Sequence, residues 1–230
     1  VTNSRAQKKI GSSSIYFEGG NDDYLSVPDS SDWDIGTGDF TFECWYRRSA
    51  WSGSGPTGYG PGYLWDFSDG TSRISGFLQD DNAGTRINWF GTDWSNTTED
   101  IESGTLNTWH HIALVRQSGT GRWYHDGVQK NTLSSFNVDF SGTWTNHIGI
   151  RYAESSGRWW PWYGYIDEFR VSDTCRYPDG TTFTPSTTAF TADANTLLLI
   201  HSDFNGGLGA DNSGNTNDFT PTNLVATDQV

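Results

Sequence analysis

Apolar and polar residues alternate with a period of two through most of this chain. Along Phe40–Arg47, Phe40, Phe42, Cys44 and Tyr46 fall on one side and Thr41, Glu43, Trp45 and Arg47 on the other. This is the pattern of a strand with one face on a core, and it predicts an exposed or cleft-lining Trp45. Shorter strands are predicted at Ser14–Glu18, Tyr24–Val27, Tyr63–Phe67, Ile74–Leu78, Arg86–Phe90, His110–Arg116, Trp123–His125, His147–Arg151 and Tyr163–Val171. Gly, Asn, Asp or Ser bounds each of them. Asp126-Gly127 marks a two-residue hairpin, because both residue types tolerate positive φ. Thr196–His201 is a continuous apolar run, suited to a strand covered on both faces. Helical periodicity is missing. The pattern predicts an all-β fold: a two-sheet antiparallel jelly-roll β-sandwich.

The pattern fades at both ends. Residues 1–10, with Arg5, Lys8 and Lys9, are expected to be an N-terminal arm or linker, residues 11–205 the sandwich, and 206–230 a C-terminal linker or the start of a following module. The Thr-, Ala- and Pro-rich stretch 182–194 is expected to run extended over the surface. The absence of Met suggests a processed or excised piece of something longer.

Composition narrows the partners. There are 28 Asp and Glu against 14 Lys and Arg, a net charge of −14, which repels phosphate backbones and anionic membranes. Nucleic acid is therefore not an expected partner, and without a long apolar run neither is membrane insertion. Cys44 and Cys175 are the two cysteines. They lack zinc or redox spacing, Cys44 reads as a buried small hydrophobe, and whether the two pair is left open. Tryptophan is abundant, with 12 in 230 residues, and clusters in Gly- and Ser-rich stretches such as 157–164. An indole offers a flat apolar face and one N–H donor, which suits the C–H face and hydroxyl rim of a sugar. The competing reading makes these rings sandwich core or loop anchors.

Five pieces in order resemble the concanavalin A-like lectin/glucanase superfamily, in its laminin-G-like, pentraxin-related branch. They are Ser14–Gly19 with Asp23–Pro28, Gly38–Trp45, Trp109–Arg116, Trp123–Gly127 and Gly164–Ser172, and the resemblance spans about residues 11 to 205. The closing pieces Cys175-Arg176-Tyr177, Phe183-Thr184-Pro185, Phe190–Thr196 and Asp211–Asn215 are similar to laminin-G-like modules of bacteriophage tail, fibre and other virion proteins. The resemblance implies a lectin-like module located on a virion or outside the cell, with neighbouring virion subunits or further copies of itself as partners.

Glucanases of the superfamily carry Glu-x-Asp-x-(x)-Glu, and retaining chemistry needs two carboxyls about 5 Å apart on one face. Here Asp167 and Glu168 are adjacent, so a regular strand would point them to opposite faces, and no Glu precedes Asp167 by two. His110 and His111 also alternate and are not expected to share an ion; one is expected to face the core beside Ile112 and Leu114. An enzyme is not expected, and no cofactor is required. Relatives in the branch hold Ca²⁺ in edge loops, which makes Asp80, Asp81 and Asn82 candidate ligands, with Asp22-Asp23, Asp66 and Asp69 as further hard-oxygen groups. The alternative for all of these is a solubilising acidic surface.

Recognition is what the residues suit best. The candidate platform is Trp51, Tyr59 and Tyr63, with Trp89 and Trp94, and with Trp159, Trp160 and Trp162; Asn88 and Arg158 are the candidate hydrogen bonders. The expected ligand is a glycan or polysaccharide, bound without catalysis during host attachment. The alternative is a structural decoration or assembly module whose aromatic loops make protein–protein contacts.

Overall fold

The computed structural model describes residues 1–20, 22–50, 61–69, 72–81, 84–88, 99–101, 105–137, 139–153, 158–203 and 207–223. Their strands are β1 (Thr2–Ser4), β2 (Ser14–Glu18), β3 (Tyr24–Val27), β4 (Phe40–Arg48), β5 (Pro61–Ser68), β6 (Arg73–Asp81), β7 (Gly84–Asn88), β8 (Glu99–Ile101) and β9 (Trp109–Gln117). There follow β10 (Thr120–His125), β11 (Val128–Leu133), β12 (Thr145–Ile148), β13 (Tyr152–Ala153), β14 (Arg158–Trp159), β15 (Tyr163–Ser172), β16 (Thr196–Ile200) and β17 (Thr220–Thr222).

Two antiparallel sheets result. The first runs β1-β2-β15-β4-β9-β10-β11, and β16 continues alongside β15 where β2 leaves it. The second runs β17-β3-β12-β5-β6-β7-β8, and β13 and β14 form a separate hairpin. The Asp126-Gly127 turn closes β10 onto β11 with His125 opposite Val128, and both turn residues have positive φ, +48° and +79°.

Aromatics supply much of the volume between the sheets. Phe42 stacks on Trp65 with centroids 6.0 Å apart and meets Phe67 edge-on at 5.1 Å, and Trp65 touches Trp123 and Phe169, both at 5.8 Å. Such pairs add to area burial. Cys44 faces this core, whereas Cys175 packs against Ala113, Val115 and Tyr124 on the outside of the first sheet, so both are free thiols.

The ends of the chain depart from expectation. Residues 1–10 are no loose arm: β1 pairs with β2, and Val1 sits in the core with its nitrogen 2.9 Å from the Asn223 carbonyl. Nor is 207–223 a linker, since β17 pairs with β3 and Phe219 stacks on Phe67. Asp211 explains how so polar a segment docks. Its carboxylate accepts from the backbone N–H groups of Leu199, Ser213 and Asn217 at 2.8–3.0 Å, capping the free edge of β16.

The outer face of the first sheet is roofed by chain. Lys9 and Ile10 donate backbone N–H groups to Asp167, and the Lys9 ammonium lies 3.9 Å from the Trp45 ring centroid. Trp45 is consequently buried, not exposed. The stretch after β15 forms a strap: Tyr177 and Phe183 stack 3.7 Å apart over Tyr124, and Phe190 covers Arg170. Residues 182–194 thus run over the surface without regular structure, anchored by Phe183 and Phe190. A bulge adds a further correction. The β15–β4 register shifts between Asp167 and Arg170, and Glu168 takes φ +51°, an extra residue that breaks the alternation. Ile166 and Phe169 still face the core, so Asp167 and Glu168 both turn outward, to the arm and to the strap.

Candidate functional site

Four rows of side chains cross the outer face of the first sheet. Three lie beneath arm or strap. Asp167, Trp45 and His111 are in register, as are Arg170, Glu43, Ala113, and then Ser172, Thr41, Val115, and all nine are buried. The fourth row differs. Tyr16, Tyr165, Arg47 and Trp109 occupy matched positions on β2, β15, β4 and β9, and each is only half-buried. The roof leaves this row open.

The row forms one continuous aromatic strip. Tyr16 lies 4.7 Å from Tyr165 and 6.5 Å from Tyr163, Trp109 lies 6.3 Å from Tyr165, and the Arg47 guanidinium carbon stands 5.4 Å from the Tyr165 centroid. Three strand spacings give the strip a length of about 14 Å. Burial, followed by hydrogen bonding to Tyr163, pushes the Tyr16 hydroxyl well above its ordinary pKa; burial also raises that of Tyr165. Both phenols therefore remain protonated donors at neutral pH. The strip thus presents ring faces, hydroxyl donors and a guanidinium fork on a rigid sheet.

The residues singled out from the sequence fall elsewhere. Trp51, Tyr59, Trp89 and Trp94 lie outside the described residues, and Asn88, Arg158 and Trp159 are placed by their backbones alone. Asn88 pairs with Phe77, and Trp159 with Tyr152. Tyr63 stacks on Phe77 at 4.4 Å and lies 6.1 Å from Trp160, over which the Arg151 guanidinium carbon sits at 4.5 Å. Tyr63, Asn88 and Trp160 do therefore converge on one end of the second sheet. Yet Tyr63 is buried, and Trp162 is fully buried in the core against Tyr46. Neither offers a face to a ligand. Of the eight tryptophans whose side chains are described, Trp109 and Trp160 alone escape burial.

Three of the hard-oxygen candidates, Asp23, Asp66 and Asp69, already accept from protein donors. Asp23 accepts from Asn223 Nδ2 at 2.8 Å and from the Gly20 N–H at 3.2 Å. Asp66 forms an ion pair with Arg73, Nε lying 2.9 Å from Oδ1, and accepts from Ser75 Oγ at 2.5 Å, while Asp69 accepts from the Ser72 N–H at 2.5 Å. Protein donors thus occupy oxygens that an ion needing six to eight would claim. Asp80 and Asp81 are placed by backbone at the end of β6, opposite Thr85 and Gly84, and Asn82 lies outside the described residues.

The two adjacent histidines separate as alternation requires. His111 is buried on the outer side, with Nε2 3.1 Å from Glu43 Oε2. His110 lies on the core side near Tyr46 and, unforeseen in the sequence, meets His125 and Asp126. The Asp167–Glu168 pair, though on one face, is sealed: Asp167 accepts from the arm, while Glu168 accepts from the Phe190 N–H and contacts His201 Nδ1 at 2.8 Å. No helix among the described residues is long and apolar enough to cross a membrane.

Comparison with known proteins agrees with this architecture. Among curated proteins, none matches the sequence. A carbohydrate-binding-assigned protein of Bacteroides ovatus ATCC 8483 superposes with a TM-score of 0.64 at 17% identity, covering 91% of this chain and 57% of that one. The heptameric SAP-like pentraxin of Limulus polyphemus gives 0.53 at 16% identity, over 70% of this chain and 76% of that one. Domain 4 of AbnA, a GH43 extracellular arabinanase from Geobacillus stearothermophilus solved with arabinotriose, gives 0.52 at 14% identity, over 74% and 73%. At these identities the likeness is one of fold. The laminin-G-like family profile matches residues 19–180 directly, and with two antiparallel sheets closed around one core, the chain belongs to the concanavalin A-like lectin/glucanases superfamily.

Proposed function

We propose that this protein is a non-catalytic glycan-binding module whose platform is the open strip Tyr16–Tyr165–Arg47–Trp109. The observation carrying this reading is that arm and strap bury the other three rows of the face and leave the aromatic one half-exposed. Ring faces suit the C–H face of a sugar, while phenol and guanidinium donors suit its hydroxyls. Two proteins of like fold have names that mention carbohydrate, one by its assignment and one by its bound arabinotriose. The closing-stretch resemblance supplies the setting we propose, a virion or other extracellular assembly, with host-surface glycan as ligand.

Glycan-array binding of the intact chain tests the reading. Trp109→Ala and Tyr165→Ala should each weaken binding by about 2 kcal/mol, roughly thirtyfold, as aromatic hot spots do. Thermal melts check that both variants fold. Trp51→Ala and Trp160→Ala serve as the contrast, and binding lost only in these would move the platform to the tryptophan-rich stretches singled out from the sequence. If no glycan is retained, and self-association is lost in Trp109→Ala, the strip is an assembly surface instead.

A further inference from the structure

We infer that His110, His125 and Asp126 form a binding site for a divalent transition-metal ion of the zinc, nickel or copper class. The three residues meet where β9 and β10 converge on the Asp126-Gly127 turn. His110 Nδ1 is 2.7 Å from Asp126 Oδ2, and His125 Nδ1 is 3.8 Å from the same oxygen. One ligand atom from each of the three lies within 4.8 Å of the others. The two measured edges bracket the roughly 3.3 Å separation expected of ligands about 2.0–2.1 Å from a tetrahedral ion. Two imidazoles and one carboxylate favour borderline metals over Ca²⁺ or Mg²⁺, which want oxygen.

The hairpin itself does not require the imidazoles. Asp126 closes its turn through Oδ1, which accepts the His111 N–H at 2.8 Å, and through its own N–H, which donates to the His111 carbonyl at 2.8 Å. Oδ2 is left to face two ring nitrogens. The rings stack with centroids 4.9 Å apart, and His110 Nε2 is buried without a partner among the described residues. His125 Nε2 lies 3.0 Å from the Tyr46 hydroxyl, the outer contact that orients a ligating histidine. Asp126 is half-exposed and gives an ion a route in from solvent. Binding moves the His110 proton from Nδ1 to Nε2, and three protein ligands leave a fourth position for water.

Isothermal titration of the tag-free chain with ZnCl₂ tests the site, with CaCl₂ as the control. One zinc per chain, a raised melting temperature and no calcium heat are expected. His125→Ala should abolish binding. Tyr46→Phe, which keeps all three ligands, should weaken it about tenfold. Asp126→Asn tolerates the turn's positive φ and gives a second ligand deletion should His125→Ala fail to fold. Cobalt substituted for zinc should give visible d–d bands that vanish in Asp126→Asn. Absence of zinc heat at millimolar metal, or unchanged zinc affinity in a folded His125→Ala or Asp126→Asn variant, overturns the assignment. The aromatic strip takes no part in it, so either proposal can fail alone.

Discussion

Glu43 sits at the centre of the roofed face and tests whether the roof is held by charge. Its carboxylate is fully buried. Oε1 accepts from Arg170 Nε at 2.8 Å and Nη2 at 2.5 Å, and Oε2 accepts from the Tyr177 hydroxyl at 2.6 Å and contacts His111 Nε2 at 3.1 Å. Burial alone would raise the pKa, but the His111 hydrogen bond, the Arg170 charge and the Tyr177 bond together outweigh it, lowering the value from 4.5 to about 2. At 1.36 kcal/mol per unit, that shift corresponds to about 3 kcal/mol of folding stability. A depressed acid contributes this stability above its unfolded pKa and loses it as pH falls through the folded one. By about pH 3, some 2 kcal/mol of it should be gone. Glu43→Gln keeps the shape, removes the charge and strands Arg170, a kind of loss that costs about 3–5 kcal/mol in buried pairs. Urea unfolding followed by tryptophan fluorescence, at about pH 7 and about pH 3, measures the gap between wild type and variant. The gap should narrow by about 2 kcal/mol on acidification. A gap that is the same at both pH values would refute the charged cluster.

Three further outcomes follow from the packing. Burial, ahead of the opposing backbone donors Ile10 and Lys9, raises Asp167 to about 7; a raised acid loses stability as pH climbs through that value, so Asp167→Asn should gain on wild type in melts between about pH 5 and about pH 8, and a pH-independent gap would contradict this. Phe219→Ala should cost about 3–5 kcal/mol by calorimetry, and an unchanged melting temperature would make the polar tail dispensable. A Cβ added at Gly127, where φ is +79°, would lie 1.7 Å from the Phe183 carbonyl oxygen; Gly127→Ala should therefore lift the strap and open 173–190 to limited proteolysis, and unaltered cleavage would show that the strap docks by other contacts.

The strands were legible because period-two alternation is a local property. Phe40–Arg47 needs no distant residue to declare its faces, and Asp126-Gly127 declares its own turn. The ends were illegible for the converse reason. β1 and β17 are three residues each, too short to show a period; β1 exists by pairing with β2, and β17 by pairing with β3 near the opposite end of the chain. The tail's polar composition suggested a linker, yet Asp211 spends that polarity on backbone donors. Trp45 shows the same limit: alternation placed it correctly on the outer side, but nothing local announces that Lys9, far away in sequence, will cover it.

The candidate strip does not follow from tryptophan count and clustering, because neither measures exposure. In a chain poor in aliphatics, indoles are core material first, and Trp33, Trp65, Trp123, Trp144 and Trp162 all serve that end. Exposure in a sandwich is decided by what crosses the sheet afterwards, and here arm and strap decide it. Once they are placed, one row remains open, and its members come from four strands, with at most two residues from any one. No window of sequence contains Tyr16, Arg47, Trp109 and Tyr165 together; registration across the sheet alone makes them neighbours. Tyr16, Arg47 and Tyr165 nevertheless occupy outward positions of strands predicted from the alternation, and Trp109 immediately precedes one. A signal was therefore present: outward-facing aromatics at matching distances from one end of adjacent strands. It becomes readable only when strand order is known, which makes topology, more than composition, the quantity from which a binding face in this fold should be read.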